Sequence, residues 1–218
     1  MADPKVLQVQ QWLLDTYGNR TEFSEFVSRS GFTANGNTGN NTMTSLIFAL
    51  QYELGISGPT GNFGPTTINL SPAIQLSNAH TFSENIIKIL EGGLWCHGYS
   101  AGYSESDDRF GGTYDADTDK AVKQLQADIG IGESGRFDGY LWKALLSTDP
   151  FVTTWTNGSS ELREAQQYLN SLAINGYYFA DDYLGQYIPT DGLNSRTFSN
   201  ALILYIQAIQ GISAPQAT

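Results

Sequence analysis

An internal repeat at an offset of 156 residues limits what this chain can fold into. Gln10, Gln11 and Leu13 recur as Gln166, Gln167 and Leu169. Gly36 recurs as Gly192, and Gln51-x3-Gly55-Ile56-Ser57-x-Pro59 recurs as Gln207-x3-Gly211-Ile212-Ser213-x-Pro215. The 14 residues between Gly36 and Gln51 are matched by 14 between Gly192 and Gln207, and by 14 between Gly111 and Gln126, which leads to Gly130-Ile131. Three copies leave about 70 residues each, near the lower limit for an independent core, so neighbouring copies are expected to pack together. A chain of copies points to multivalent binding rather than to chemistry in one deep cleft.

The apolar spacing within each copy is helical, and the fold class expected is mainly α: three tandem small three-helix units, with boundaries at 1–76, 77–153 and 154–218. Val6, Val9, Trp12 and Leu13 share one helical face, as do Leu46, Ile47, Leu50 and Leu54. Gly55 then stands where a left-handed C-cap is expected. Pro65 opens a short third helix, and Phe63 before it is the expected plug between the two longer ones. The middle copy offers Ile86, Ile89 and Leu90, then Ala121, Val122, Leu125 and Ile129, then Phe137 in the equivalent turn and Trp142, Leu145 and Leu146. The last copy offers Leu162, Ala165, Tyr168 and Leu169, then Leu202, Ile203 and Ile206. Its Phe-bearing turn is missing, so this copy is expected to be incomplete and the chain an excerpt of a longer one. Gly31 to Gly39 is loop by composition, and Thr21 to Asn35 reads as a long front loop with Asn175 to Thr190 as its counterpart. Ser71 to Thr81 and Asp149 to Ser160 read as linkers.

Charge restricts the partners. The net charge is −11, with 11 Lys and Arg among 218 residues. Nucleic acid needs clustered cations to displace phosphate counterions, and scattered ones do not supply them. The same sign disfavours anionic lipid and polyanionic wall polymers, and leaves a neutral glycan or a ligand with free amines. Charged residues are only 15% of the chain, as on many secreted or envelope-facing proteins. No run of about 18 apolar residues is present to span a membrane, and without a charged start followed by an apolar stretch no signal peptide is expected. The single cysteine, Cys96, sits in Leu94-Trp95-Cys96 and is expected to be a buried free thiol.

A helix ending in Gln-x3-Gly-Ile, a preceding Gly-bearing turn and a following Gly-x-Phe-Gly together resemble the peptidoglycan-binding module family, found attached to bacterial or phage cell-wall hydrolases. The pattern reads Asn35-Gly36 with Leu50-Gln51 and Gly55-Ile56. It reads Asp191-Gly192 with Ile206-Gln207 and Gly211-Ile212, and Asp115-Ala116-Asp117-Thr118 with Leu125-Gln126. The resemblance implies binding of bacterial peptidoglycan, glycan strand or stem peptide, at the outside of the cell, by a monomer that directs an attached hydrolase to the wall. A spacer or protein-docking array without glycan affinity is the alternative, and an autonomous wall glycosidase a lesser one. Within the pattern, the Gly serves to close a helix and the Gln side chain to satisfy loop backbone groups.

No complete catalytic or metal-binding set is visible. Asp115-x-Asp117-x-Asp119 resembles a calcium loop, but Lys120 and Gln126 occupy the positions that require Gly and Glu. These aspartates are expected to cap the following helix. His80, His97 and Cys96 do not have zinc spacing. Asp107-Asp108 and Asp181-Asp182 are loop pairs rather than carboxylates flanking a glycosidic bond. Neither cofactor nor enzymatic activity is expected of this chain. The aromatic residues are the better signal, because a Tyr ring stacks on a sugar face while its hydroxyl bonds polar groups. Tyr17, Tyr99, Tyr103, Tyr114, Tyr178 and Tyr183, with Asn35 and Asp191 beside the repeat glycines, are the candidate ligand-binding residues. Half or more of the loop aromatics are expected instead to cover the small cores, Trp12 among them.

Overall fold

A computed structural model describes residues 2–101, 110–154, 156–173 and 185–212. Among them the structure is helical, with one isolated antiparallel bridge between Ile74 and Phe137 and no strand. The helices are α1 (Pro4–Tyr17), α2 (Thr21–Ser30), α3 (Asn40–Glu53), α4 (Pro65–Leu70), α5 (Glu84–Cys96), α6 (Ala116–Ile129), α7 (Gly139–Leu145), α8 (Ser160–Ala173) and α9 (Arg196–Ile209), with a 3-10 turn at Ala79–Thr81. The mainly α class read from the apolar spacing is therefore what the chain adopts.

The contacts divide the chain into two compact units. One comprises Met1–Val122 with Gly135–Thr148, and the other Lys123–Ser134 with Asp149–Thr218. The first takes in the first expected copy and most of the second.

In the first unit α1, α3 and α5 pack on one another, α2 covers α3, and α7 packs on α4 and α5. Helix starts are set by side-chain caps: Asp3 accepts the N–H groups of Lys5 and Val6, Ser83 that of Ile86, and Asp138 those of Tyr140 and Leu141. Val6, Val9 and Leu13 meet the core, as do Leu46, Ile47 and Leu50, and Ile86, Ile89, Leu90 and Leu94. Two adjacent glycines let α5 approach its neighbours. A Cβ on Gly92 would lie 3.0 Å from Val9, and one on Gly93 2.7 Å from Leu145.

Three features depart from the expectations. Thr21–Ser30 is helix, not front loop, and its Phe23 and Phe26 are buried with Phe32 and Phe48 in an aromatic cluster. Phe23, Phe26 and Val27 stand at i, i+3 and i+4, so the ten-residue segment has an apolar stripe despite its polar composition. Because that cluster fills the first core, Phe63 is only half-buried, whereas Phe137 is wholly buried edge-on to Trp142. Finally, Ser71 to Thr81 is not a free linker: Ile74 is buried and exchanges both backbone hydrogen bonds with Phe137, at 2.8 and 2.7 Å.

In the second unit α8 packs on α9 around Leu169, Ile188, Phe198, Ala201 and Leu204. Ser195 caps α9 through the N–H of Phe198. The buried face of α9 is thus Phe198, Ala201 and Leu204, and not Leu202, Ile203 and Ile206. Ile206 is 53% exposed and Leu202 only partly covered. Tyr168 is likewise 54% exposed rather than core, with its hydroxyl against that of Tyr205.

Candidate functional site

The repeated glutamines organise the loops. Gln10 lies on the inward face of α1, one turn before Leu13, and is 1% exposed. Its Oε1 accepts the N–H groups of Asn35 and Gly36, each at 2.8 Å, and its Nε2 donates to the carbonyl of Asn37 at 3.0 Å and to Thr42 Oγ1 at 2.9 Å. One carboxamide thereby satisfies three consecutive loop residues and the first turn of α3. The corner forces Gly36 to φ 72°, in the left-handed region, and a Cβ there would meet Asp3 O at 2.9 Å.

The same clamp recurs. Gln51 accepts from Thr60 and Gly61 and donates to Asn62 O and Thr67 Oγ1. Gln166 accepts from Gly192 and donates to Leu193 O and to Asp191 Oδ1. In each case the glycine has a positive φ, 71° at Gly61 and 73° at Gly192, and the acceptor carbonyl belongs to the residue after it. Gln126 reaches Ser134 Oγ, just before Gly135 at φ 69°. Gln51 thus has the loop-supporting role read for the shared glutamine, whereas Gln126 meets a side-chain hydroxyl.

Outside the Gln10 corner lies a pocket of 340 Å³. Its walls are Thr33, Asn35, Asn37, Asn40, Asn41 and Thr42, with Phe32 and the loop glycines. No titratable side chain lines it, so it offers carboxamide and hydroxyl hydrogen bonding without an acid–base pair. The first turn of α3 opens at Asn40 behind Gly39, which provides no side-chain cap. A second recess of 380 Å³ lies between His80, Phe82, Glu84 and Ile87 on one side and the Gly111 to Tyr114 stretch on the other.

The candidate residues fare differently. Asn35 is exposed at the first pocket, its Oδ1 accepting the N–H of Asn37 at 2.9 Å. Tyr114 touches the second recess but is 7% exposed, and its hydroxyl donates to the Gly135 carbonyl at 3.4 Å. Tyr17 is 2% exposed, stacked on Tyr52, with its hydroxyl donating to Glu53 at 2.8 Å. Tyr99 is also buried. The ring faces of these three tyrosines are taken up by the interior, because each core is small and an aromatic fills it most completely. Burial raises the hydroxyl pKa of Tyr17 and Tyr114, with Glu53 and Asp119 adding to it. Asp191 is 8% exposed and belongs to the Gln166 clamp, its Oδ1 also accepting from Leu193. Tyr103, Tyr178 and Tyr183 lie outside the described residues. Trp12 packs edge-on against Tyr17 and Phe110, as expected of a packing residue. Asp115 caps α6 through the N–H of Thr118 at 2.8 Å. Cys96 is half-buried, and desolvation pushes its thiol up to about 12.

Thr33, Asn37, Asn40 and Asn41 also line the first pocket, and the placement of the tyrosines does not point to them. Their signal is the Asn- and Thr-rich run between Gly31 and Thr42.

Residues 2–146 match the model of the FadG/YbfG, PGDB-like domain, and the chain belongs to that family, which has a peptidoglycan-binding-like fold. It is similar to two Bacillus subtilis (strain 168) proteins. It shares 35% identity with "Uncharacterized protein FadG" over 97% of this chain and 34% of that protein, and 37% with "Uncharacterized protein YbfG" over all of this chain and 27% of that protein. The chain thus spans about a third or less of the relatives it matches. No solved structure matches it.

Proposed function

We propose that this chain is a non-catalytic peptidoglycan-binding region that holds a longer wall-active polypeptide against the bacterial cell wall, outside the cell. The observation that carries this reading is the Asn/Thr-lined pocket at the Gln10 corner, within the segment matched by the family. Peptidoglycan presents N-acetyl and peptide amides and sugar hydroxyls. Side-chain carboxamides, with a donor and an acceptor each, pair with such groups without the desolvation cost of a charge. The acidic net charge fits a ligand of this kind better than a polyanion. The tandem copies, acting as a monomer, would add weak contacts into useful avidity.

The test is co-sedimentation of the purified chain with insoluble peptidoglycan, beside Asn35→Ala/Asn40→Ala and an unrelated acidic protein. The chain should enrich in the pellet and release no sugar, and the double variant should lose most of that enrichment while keeping its circular dichroism. Pelleting no better than the control protein refutes wall binding. Burial of Tyr17, Tyr99 and Tyr114 favours the second reading, a spacer or docking array without glycan affinity. That reading is distinguished by absence of sedimentation from a well-folded chain.

A further inference from the structure

In the middle copy the clamp position holds a carboxylic acid. Glu91 stands three residues before buried Leu94 on α5, as Gln10 stands before Leu13 and Gln166 before Leu169. It is fully buried, and its Oε2 accepts the N–H of Gly112 at 2.9 Å, as the Oε1 atoms of Gln10 and Gln166 accept those of Gly36 and Gly192. Gly112 has φ 67°, matching those glycines, one residue beyond the Gly111 that spacing alone selects. The other carboxyl oxygen, Oε1, corresponds to the glutamine Nε2 that donates across the loop. It is buried and, among the described residues, the one such side-chain atom without a hydrogen-bond partner.

We propose that Glu91 is a proton-operated version of the glutamine clamp: a proton taken from solvent onto Oε1 turns that acceptor into the missing donor and locks the Gly112 corner, and its release to solvent unlocks it.

The surroundings favour the neutral form. Burial pushes Glu91 up to about 7 from an ordinary 4.5, against the backbone N–H groups of Gly112 and Thr113, which favour the carboxylate. The charges that bear on it are Asp115, from the loop before α6, which opposes ionisation, and Lys88, one turn back on α5, which favours it. α1, α3 and α7 pack on the same helix, and none of their charged groups is among the causes of the shift. A group whose folded pKa is raised contributes fully below its unfolded value. The contribution falls as pH rises toward about 7 and is gone above it. The locked corner forms one wall of the 380 Å³ recess beside His80 and Glu84, so the recess is firm in mild acid and loosened at mildly alkaline pH. This inference stands apart from wall binding.

The experiment is amide hydrogen exchange on the full chain from pH 5 to 8, with intrinsic exchange rates divided out, for the wild type and Glu91→Gln. Protection at Gly112 and Thr113 in the wild type should drop on the order of 100-fold across this range. In Glu91→Gln it should stay at the wild-type pH 5 level throughout. Retention of the pH dependence in Glu91→Gln overturns the proposal, as does a flat profile in the wild type. Carbon-13 titration of the Glu91 carboxyl in the wild type decides independently of the variant's folding. A midpoint near 7 supports the clamp, and one near 4.5 overturns it.

Discussion

Replacing Gln10 by Leu removes a carboxamide and keeps about the same volume. Four hydrogen bonds go at once: from Asn35 and Gly36 N–H to Oε1, and from Nε2 to Asn37 O and Thr42 Oγ1. At about 1 kcal/mol net for each, the loss is about 4 kcal/mol. Asn35 is exposed and its N–H regains a water partner, whereas the N–H of Gly36 is left buried, so about 3 kcal/mol is the expected cost. In urea, with a slope of about 2 kcal/mol per molar, the midpoint of the first unit should fall by about 1.5 M. Tryptophan fluorescence reports this unit well, because Trp12, Trp95 and Trp142 all belong to it. A fall below about 0.5 M would mean that the corner is held by its own turn geometry and that the clamp is incidental. The pocket tests the same point from outside: loss of Gln10 should lower exchange protection at Asn35 to Asn37 before it affects Leu46 to Leu50.

Two further outcomes follow from the same geometry. Gly192→Ala places a side chain at φ 73° with its Cβ 2.4 Å from the Ser159 carbonyl oxygen; it should cost more than about 1 kcal/mol, seen as lost amide protection in α8 and α9, with α1 and α3 unchanged. In alkali, Tyr17 and Tyr114 should stay un-ionised beyond the ordinary value of 10, because burial raises both; the stability this gives is full below that value and declines above it as the unfolded chain ionises. Ultraviolet titration should therefore show at least two fewer tyrosinates in the native chain than in urea until the fold is lost.

Much of the helical plan was legible from residues that repeat. Gly55, Gly130 and Gly211 all have positive φ where the spacing placed C-caps, and Pro65 opens α4. The glutamines were readable as loop supports because a carboxamide on an apolar face must find internal partners. Their partners were not readable, since Gln10 and Asn35 are 25 residues apart. α2 was hidden because seven of its ten residues are polar or charged and only its stripe of Phe23, Phe26 and Val27 is apolar. The burial of Tyr17, Tyr99 and Tyr114 was hidden for a related reason. A Tyr beside Gly or Asn looks solvent-facing, yet Tyr17 buries its ring and finds Glu53, 36 residues away, for its hydroxyl. On α9 the isoleucines advertised a core face, but Phe198 and Leu204, set by the Ser195 cap, take it.

The glutamine clamp separates two jobs that usually share residues. A loop that stays in shape by its own side chains must conserve them, whereas here the backbone of residues 35–37 is gripped from behind by a helix. Thr33, Asn40 and the outward faces of their neighbours are thereby released from holding the fold. Such a frame tolerates exchange of its contents. The residues of the pocket wall can change while the corner behind them keeps its shape, so the wall is the place to engineer a new ligand preference without redesigning the domain.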